Sequence, residues 1–142
     1  MIQSNELRLG NWVNTPRKDQ SPFRIDSIEY CTKDYCQVGM STIEGGHPLT
    51  WDNKDIDSIS LTEDLIIRAG FIKADSKYKY YYHPKTVLFA LQNVSDLEGE
   101  IKIVVGRTSS FSFLLISIEI KYLHHLQNVF YSLTGEELNI EL

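Results

Sequence analysis

Apolar residues near the C-terminus recur with the period of an α-helix. Six of them fall within an arc of about 120° when the chain is plotted at ~100° per residue. The six are Tyr122, Leu123, Leu126, Val129, Phe130 and Leu133. Polar residues fill the rest of the circumference, and Gly135 ends the pattern. The pattern predicts an amphipathic C-terminal helix that buries this stripe on a sheet and leaves its polar side exposed.

Four segments before this helix are typical of β-strands. Aromatic and β-branched side chains are frequent in them, and polar or glycine-containing turns separate them. They are residues 78–83, 87–94, 101–105 and 111–120. Their spacing predicts an antiparallel meander. The last segment is apolar on both faces, so we expect it in the middle of the sheet.

The first 60 residues predict short strands joined by turns. Gly10, the pair Lys33 and Asp34, and the pair Gly45 and Gly46 mark the turns. Aromatic and β-branched residues lie between them. Short strands at this spacing favour a small curled sheet or an SH3-like barrel.

A short helix separates the two regions. Thr62 is a good N-cap, Arg68 lies in the predicted last turn, and Gly70 stands where a left-handed C-cap belongs. The predicted fold class is therefore α+β, as a single domain of two lobes. Residues 1–60 form a small β-barrel-like lobe. Residues 61–142 form a lobe with the order α-β-β-β-β-α, in which the C-terminal helix packs on the meander.

The composition and charge of the chain limit the classes of partner that we expect. Of the 142 residues, 42% are hydrophobic and 23% are charged, which is ordinary for a globular domain. The formal net charge of −5 repels phosphate backbones and disfavours sequence-independent binding to nucleic acid. No apolar run is long enough to cross a bilayer, and the N-terminus does not resemble a secretory signal. The sequence therefore predicts a cytoplasmic chain without a membrane partner.

The two cysteines, Cys31 and Cys36, have four residues between them. A zinc knuckle usually has two residues in this gap, and His47 is the only histidine near them in sequence. In a reducing compartment we expect free thiols that serve as small residues on paired strands. A metal or redox site is the alternative.

The polar side of the C-terminal helix is the first candidate for a binding surface. His124, Gln127, Asn128 and Tyr131 lie at three- and four-residue spacings on this side. Amide and imidazole groups can hydrogen-bond to a partner, whereas an ordinary solvated helix face is the alternative interpretation. The neighbouring His124 and His125 point about 100° apart on a helix, so we do not expect them to bind one metal ion.

A tyrosine-rich stretch supports a second hypothesis. Trp12, Tyr78, Tyr80 and Tyr82 could stack on the bases of single-stranded nucleic acid, because lysines flank the tyrosines. Tyrosine is also a common strand residue whose ring packs on its neighbours. The acidic net charge disfavours the nucleic-acid hypothesis.

No arrangement of residues in the sequence indicates a catalytic site. Glycine-rich nucleotide motifs, the serine-nucleophile elbow and spaced metal ligands are absent from the sequence, so no cofactor is predicted. An enzyme with His124 or His83 beside an acid distant in sequence is a third hypothesis. The leading hypothesis is a non-enzymatic protein that binds a protein partner or associates with itself.

Two stretches resemble a known group of proteins. NELRLGNWV at residues 5–13 and KYLHHLQN at residues 121–128, continued by LTGEEL at residues 133–138, resemble small uncharacterised proteins of gut Bacteroidales genomes. These proteins often occur in prophage-like or other mobile regions. The resemblance implies an accessory protein of a mobile element that acts in the bacterial cytoplasm, and it implies no catalytic residue. His124, Gln127 and Asn128 match the His-x-Leu-Gln-Asn pattern of that family.

Overall fold

The computed structural model describes residues 2–16, 22–42, 49–74, 80–85, 89–93, 101–107 and 112–142. The chain forms two compact units. The first unit consists of Met1–Ser60, Tyr122–Asn128 and Leu142, and the second consists of residues 61–121 and 129–141. The sequence predicted that residues 61–142 form one lobe, whereas the structure assigns residues 122–128 to the first unit.

A curled four-stranded antiparallel sheet, open like half of a barrel, forms most of the first unit. Its strands pair in sequence order: β1 (Trp12–Val13), β2 (Phe23–Cys31), β3 (Cys36–Thr42) and β4 (Leu49–Asp52). Two short 3₁₀ helices, Ser4–Glu6 and Asn53–Asp55, flank the sheet in sequence. The predicted β-rich first region is confirmed at this level. Closure into an SH3-like barrel stays a prediction.

Two extra residues in β2 bend the sheet. The register with β3 shifts at Asp26 and again at Glu29, so nine residues of β2 oppose seven of β3. Ile25, Ile28 and Cys31 pair with alternate residues of β3, although they are three positions apart in β2. Each bulge increases the local twist and bends its strand. The bulges therefore favour curling, and they break the simple alternation of apolar residues in β2.

The core of the first unit is apolar and contiguous. Burying each large side chain stabilises the fold by about 1.5–3 kcal/mol relative to leaving it in water. The core residues are Ile2, Leu7, Val13, Phe23, Ile25, Cys36, Val38, Met40 and Ile56. Trp51 packs against them from a half-buried position.

The expectation that the cysteines are free thiols is wrong for this structure. Cys31 and Cys36 form a disulfide, and their Cα atoms are 4.1 Å apart. They are direct cross-strand partners, one at the end of β2 and the other at the start of β3. Direct opposition across two antiparallel strands brings Cβ atoms within reach of a disulfide. The expectation relied on the cellular compartment and did not consider this register.

The second unit begins with the predicted short helix. Helix α1 spans Glu63–Arg68, and the Thr62 hydroxyl accepts a hydrogen bond from the Leu65 N–H at 3.3 Å. Gly70 has a φ of +85° and ends the helix in the left-handed region. Both predicted caps are confirmed, because each depends only on residues close in sequence.

An antiparallel meander follows, as predicted, but it has five strands instead of the predicted four. It consists of β5 (Ile72–Lys73), β6 (Tyr80–Tyr82), β7 (Phe89–Asn93), β8 (Ile101–Arg107) and β9 (Ser112–Ile120). Among the described strands β9 lies at one end of the sheet, so its predicted central position is wrong. Apolarity on both faces of a strand does not reveal how many strands flank it.

Helix α2 spans Leu123–Thr134, and its apolar stripe is buried as predicted in most of its length. Leu123, Leu126 and Phe130 are buried, but Leu133 in the last turn is 41% exposed. The predicted burial of Leu133 is therefore wrong, and Leu138 beyond the helix is buried instead. No helix within the described ranges is long and apolar enough to span a bilayer.

Candidate functional site

The polar side of α2 is largely buried in the first unit. His124 is 0% exposed and Gln127 is 1% exposed, while Asn128 is half-buried. The prediction that these groups face solvent is wrong for His124 and Gln127. Tyr131 is exposed, as predicted, but it belongs to the part of α2 in the second unit. The four candidate residues therefore do not form one free surface.

Gln127 pairs with main-chain groups at the start of β1. Its Oε1 accepts a hydrogen bond from the Trp12 N–H at 2.9 Å, and its Nε2 donates to the Gly10 carbonyl at 3.0 Å. The carboxamide therefore satisfies one donor and one acceptor of the backbone, as a neighbouring strand would. Buried main-chain groups need such partners, because an unpaired group costs about 1–3 kcal/mol.

Asn128 binds the segment that precedes β1. Its Nδ2 donates to the Glu6 carbonyl at 2.7 Å, and its Oδ1 accepts from Asn11 Nδ2 at 2.9 Å and from Arg8 Nε at 3.2 Å. We call Gln127 and Asn128 the amide clamp. The clamp joins residues 6–12 to α2.

Three potential metal ligands converge beside the clamp. Glu6, His124 and His125 each place a ligand atom within 4.8 Å of the other two, and His125 Nε2 is 3.5 Å from Glu6 Oε1. The centroids of the two imidazole rings are 4.3 Å apart. Of the described residues, these three form the group that could hold a metal ion.

The prediction that adjacent histidines on α2 cannot approach one ion is not supported by this geometry. The angle of about 100° applies to the Cα–Cβ bonds of neighbouring helical residues. Rotation about χ1 and χ2 moves the ring nitrogens of His124 and His125 beyond those bonds, and here the rings approach each other. The partner Glu6 was missed because it lies 118 residues earlier in the sequence.

His124 has an unusual environment for a histidine. Neither ring nitrogen has a hydrogen-bond partner, and the ring stacks on Tyr122 with centroids 5.7 Å apart. Burial, and to a lesser degree the neighbouring His125, lowers the pKa of His124 to about 4. The imidazole is therefore neutral near pH 7. One of its two ring nitrogens carries no proton and has a free lone pair.

His83, the other candidate for catalysis, is a packing residue in the second unit. Its ring contacts Phe71 and Phe130 edge to face, with centroids 5.2 and 4.9 Å away. Its Nδ1 accepts a hydrogen bond from the Lys85 N–H at 3.4 Å. Burial lowers the pKa of His83, followed in effect by the charge of Lys85. These contacts account for the position of His83 without a catalytic role.

The aromatic residues proposed to stack on bases differ in their surroundings. Tyr82 is exposed, whereas its neighbour Tyr81 is buried, and Trp12 is half-buried in the first unit. Tyr78 and the side chain of Tyr80 lie outside the described residues. Of the described part of the tyrosine stretch, only Tyr82 presents an exposed ring. Base stacking by these residues stays a prediction.

A hairpin in the first unit presents exposed apolar residues that the sequence analysis missed. Tyr30 is 58% exposed and Ile28 is 39% exposed, both near the end of β2. Tyr30 also packs on Tyr35 across the hairpin, with ring centroids 6.2 Å apart. The sequence signal is the run Ile28-Glu29-Tyr30, which places two apolar side chains shortly before the turn at Lys33 and Asp34.

The chain was also compared with known proteins. No protein-family model, curated protein or solved structure matches it.

Proposed function

We propose that the chain is a non-enzymatic module that binds a protein partner through the β2–β3 hairpin. The observation that carries this proposal is Tyr30, a large aromatic residue that is 58% exposed on a strand with a partly open edge. Exposed tyrosines with rigid surroundings are frequent anchors of protein interfaces. The hairpin replaces the polar side of α2 as the candidate surface.

The edge of β2 supports a strand-addition mode of binding. Strand β1 pairs only with Phe23 and Arg24, and the backbone of Ile25 bonds to residues 10 and 11. Within the described ranges, residues 27–31 have no neighbouring strand on that side. Such an edge offers N–H and C=O groups to an extended segment of another chain.

Two contacts hold the end of the hairpin in place independently of the disulfide. The Ser4 hydroxyl lies 2.9 and 2.6 Å from the carbonyl oxygens of Thr32 and Lys33. The Tyr35 hydroxyl donates a hydrogen bond to Asp52 Oδ1 at 2.7 Å, which raises the pKa of Tyr35. A surface that is ordered before binding loses less conformational entropy when the partner arrives.

The net charge of the chain supports a choice of partner. Asp26 and Glu29 are exposed on β2, as is Arg24, and Glu29 Oε1 accepts a hydrogen bond from Thr50 Oγ1 of β4 at 3.4 Å. The whole chain carries a formal net charge of −5. We therefore propose an extended segment with an apolar side chain for Tyr30 and with lysine or arginine nearby. Complementary charges increase the association rate and suppress incorrect partners.

Site-specific photocrosslinking in cells tests this surface. A photoreactive phenylalanine analogue at position 30 should give one discrete crosslinked product, whereas the same analogue at Tyr82 should not. Once the partner is isolated, Tyr30→Ala should weaken binding about tenfold or more, as expected for an aromatic anchor. Equal crosslinking at positions 30 and 82, or unchanged affinity of Tyr30→Ala, would contradict the proposal. A crosslink to a second copy would instead identify self-association.

The resemblance to Bacteroidales proteins favours an accessory role for a mobile element in the bacterial cytoplasm. A stable disulfide is unusual in that compartment, so the state of Cys31 and Cys36 tests the location. Rapid alkylation of thiols in intact cells, followed by mass spectrometry, should find both cysteines alkylated if the location is cytoplasmic. A persistent Cys31–Cys36 disulfide would indicate an oxidising compartment.

A further inference from the structure

We propose that Glu6, His124 and His125 form a binding site for one divalent transition-metal ion, with Zn²⁺ as the expected ion. All three residues belong to the first unit. Two imidazole nitrogens and one carboxylate oxygen are a ligand set that zinc accepts in proteins. The proposed site is separate from the hairpin and independent of the protein-binding proposal.

The distances between the donor atoms fit a site whose side chains move closer together when the ion binds. For a tetrahedral ion with ligands about 2.1 Å away, donor atoms stand about 3.4 Å apart. His125 Nε2 and Glu6 Oε1 are already 3.5 Å apart, and all three donor atoms lie within 4.8 Å of one another. Side-chain rotations that bring the donor atoms closer by up to about 1.4 Å would therefore complete the geometry.

The burial of His124 is the second, independent observation. Its side chain is fully buried, yet neither ring nitrogen has a hydrogen-bond partner. Buried polar atoms without partners are rare in proteins, because each costs about 1–3 kcal/mol. A metal ion held by one nitrogen would satisfy that atom, and neutral imidazole is the form that binds metals.

The surrounding contacts orient the ligands. The carboxylate of Glu6 is held at its other oxygen, because Oε2 accepts a hydrogen bond from the Gln3 N–H at 3.2 Å. The amide clamp holds the Glu6 carbonyl through Asn128 at 2.7 Å. Tyr122 stacks on the His124 ring and meets the His125 ring edge to face. Such outer contacts fix ligand orientation in metal sites and raise affinity.

The site is open on one side. The His125 and Glu6 side chains are 28% and 34% exposed, while His124 closes the inner side. An ion can therefore enter from solvent between the two partly exposed ligands. Three protein ligands leave the fourth tetrahedral position for water, which is the arrangement of zinc sites that remain accessible.

Calorimetric titration of the full chain with ZnCl₂, after dialysis against EDTA and then buffer, tests the proposal. We expect the chain to bind one Zn²⁺, and we expect Glu6→Gln and His125→Gln each to weaken binding by about tenfold or more, because each removes a ligand. Both side chains are partly exposed, so these variants should keep the fold, which circular dichroism verifies. Glu29→Gln and His83→Asn are the matched controls and should bind as the unaltered chain does.

Two spectroscopic readouts identify the ligands directly. Substitution with Co²⁺ should give visible absorption bands of tetrahedral intensity, which Glu6→Gln and His125→Gln should abolish. Addition of Zn²⁺ should shift the imidazole ¹⁵N resonances of His124 and His125 but not those of His83. The absence of saturable Zn²⁺ binding to the unaltered chain would overturn the proposal. Unchanged binding by both ligand variants would overturn it as well.

Discussion

Gln127 shows how one side-chain amide can replace a piece of β-sheet. Its carboxamide reaches both the Trp12 N–H and the Gly10 carbonyl, so it closes the start of β1 with the geometry of a peptide group. The residue is buried because its partners are buried main-chain atoms that no solvent can satisfy. The helix therefore supplies polar groups to the first unit, as well as apolar ones.

Replacing Gln127 with methionine should destabilise the chain by about 2–4 kcal/mol, because it leaves two buried main-chain groups unpaired while it preserves the side-chain volume. Unfolding in urea, followed by tryptophan fluorescence, measures this loss. Gln37→Met is the matched control on β3, where the glutamine is half-buried. If the two variants were equally stable, the hydrogen bonds of Gln127 would contribute nothing.

The burial of His83 predicts a dependence of stability on acidity. Burial lowers the pKa of His83 in the folded chain below its value of about 6.5 in the unfolded chain. Between those values the unfolded state binds more protons, so the free energy of unfolding should fall as the pH decreases below about 6.5. The nearby charges are Lys85, which lowers the pKa further, and Glu136, which opposes the shift.

Urea unfolding at pH 7.5 and at pH 5.5 should reveal this effect. The loss of stability between the two pH values should be smaller in His83→Asn than in the unaltered chain, because asparagine does not titrate. Each protein is compared with itself at the two pH values. The packing energy that the variant loses with the imidazole ring is the same at both pH values and therefore cancels. An equal loss in both proteins would show that His83 has no part in the pH dependence.

The residues that bind one another across the first unit could not be paired from the sequence. Gln127 and Asn128 have the polarity of a solvent-exposed helix face, and their partners lie between 115 and 122 residues away in the chain. A polar side chain on a helix is buried only when such a distant partner exists. The residue types in the clamp were therefore identified correctly, whereas their environment was not.

At the scale of elements, the helix ends are better determined than the sheets. Thr62, Gly70 and Gly135 act through neighbours within a few residues, so the sequence predicts where α1 and α2 end. The order of strands depends on contacts between distant segments, and β9 was accordingly misplaced. The bulges at Asp26 and Glu29 likewise follow from pairing with β3, which no local pattern reports.

Two glycines that follow helices allow a matched prediction. Gly70 and Gly135 have φ values of +85° and +73°, so alanine at either position costs about 1–2 kcal/mol of backbone strain. A Cβ at Gly70 would also lie 3.2 Å from His83 Nε2, whereas a Cβ at Gly135 would meet nothing within 4 Å. Gly70→Ala should therefore destabilise the chain more than Gly135→Ala.

Thermal unfolding of the two alanine variants measures this difference. Combining Gly70→Ala with His83→Asn should recover part of the excess loss, because the shorter side chain frees the space beside residue 70. Equal losses in the two single variants would mean that the ring of His83 moves aside without cost.

At the scale of the whole molecule, neither unit is a continuous stretch of sequence. The first unit needs residues 122–128, which bring the amide clamp and both histidines of the proposed zinc site. The predicted boundary after Ser60 separates chain segments but does not separate folding units. Truncation at this boundary would remove the partners of Gly10, Asn11 and Trp12.

A fragment of residues 1–60 should therefore lack a stable fold. We expect weak near-ultraviolet circular dichroism from its tryptophans and few dispersed amide resonances. Addition of a synthetic peptide of residues 119–134 should restore part of both signals, and the same peptide with methionine at position 127 should restore less. A fragment that folds fully without the peptide would show that the clamp is dispensable.

During translation, the amide clamp forms long after the segment that it binds has been synthesised. Residues 10–12 leave the ribosome early, but Gln127 and Asn128 are made 115 or more residues later. At about 5–20 residues per second, the nascent N-terminal segment waits about 6–23 seconds for these side chains. In that interval the main-chain groups at the start of β1 lack the partners that α2 supplies. A chaperone or a neighbouring nascent chain can bind to them before α2 is synthesised.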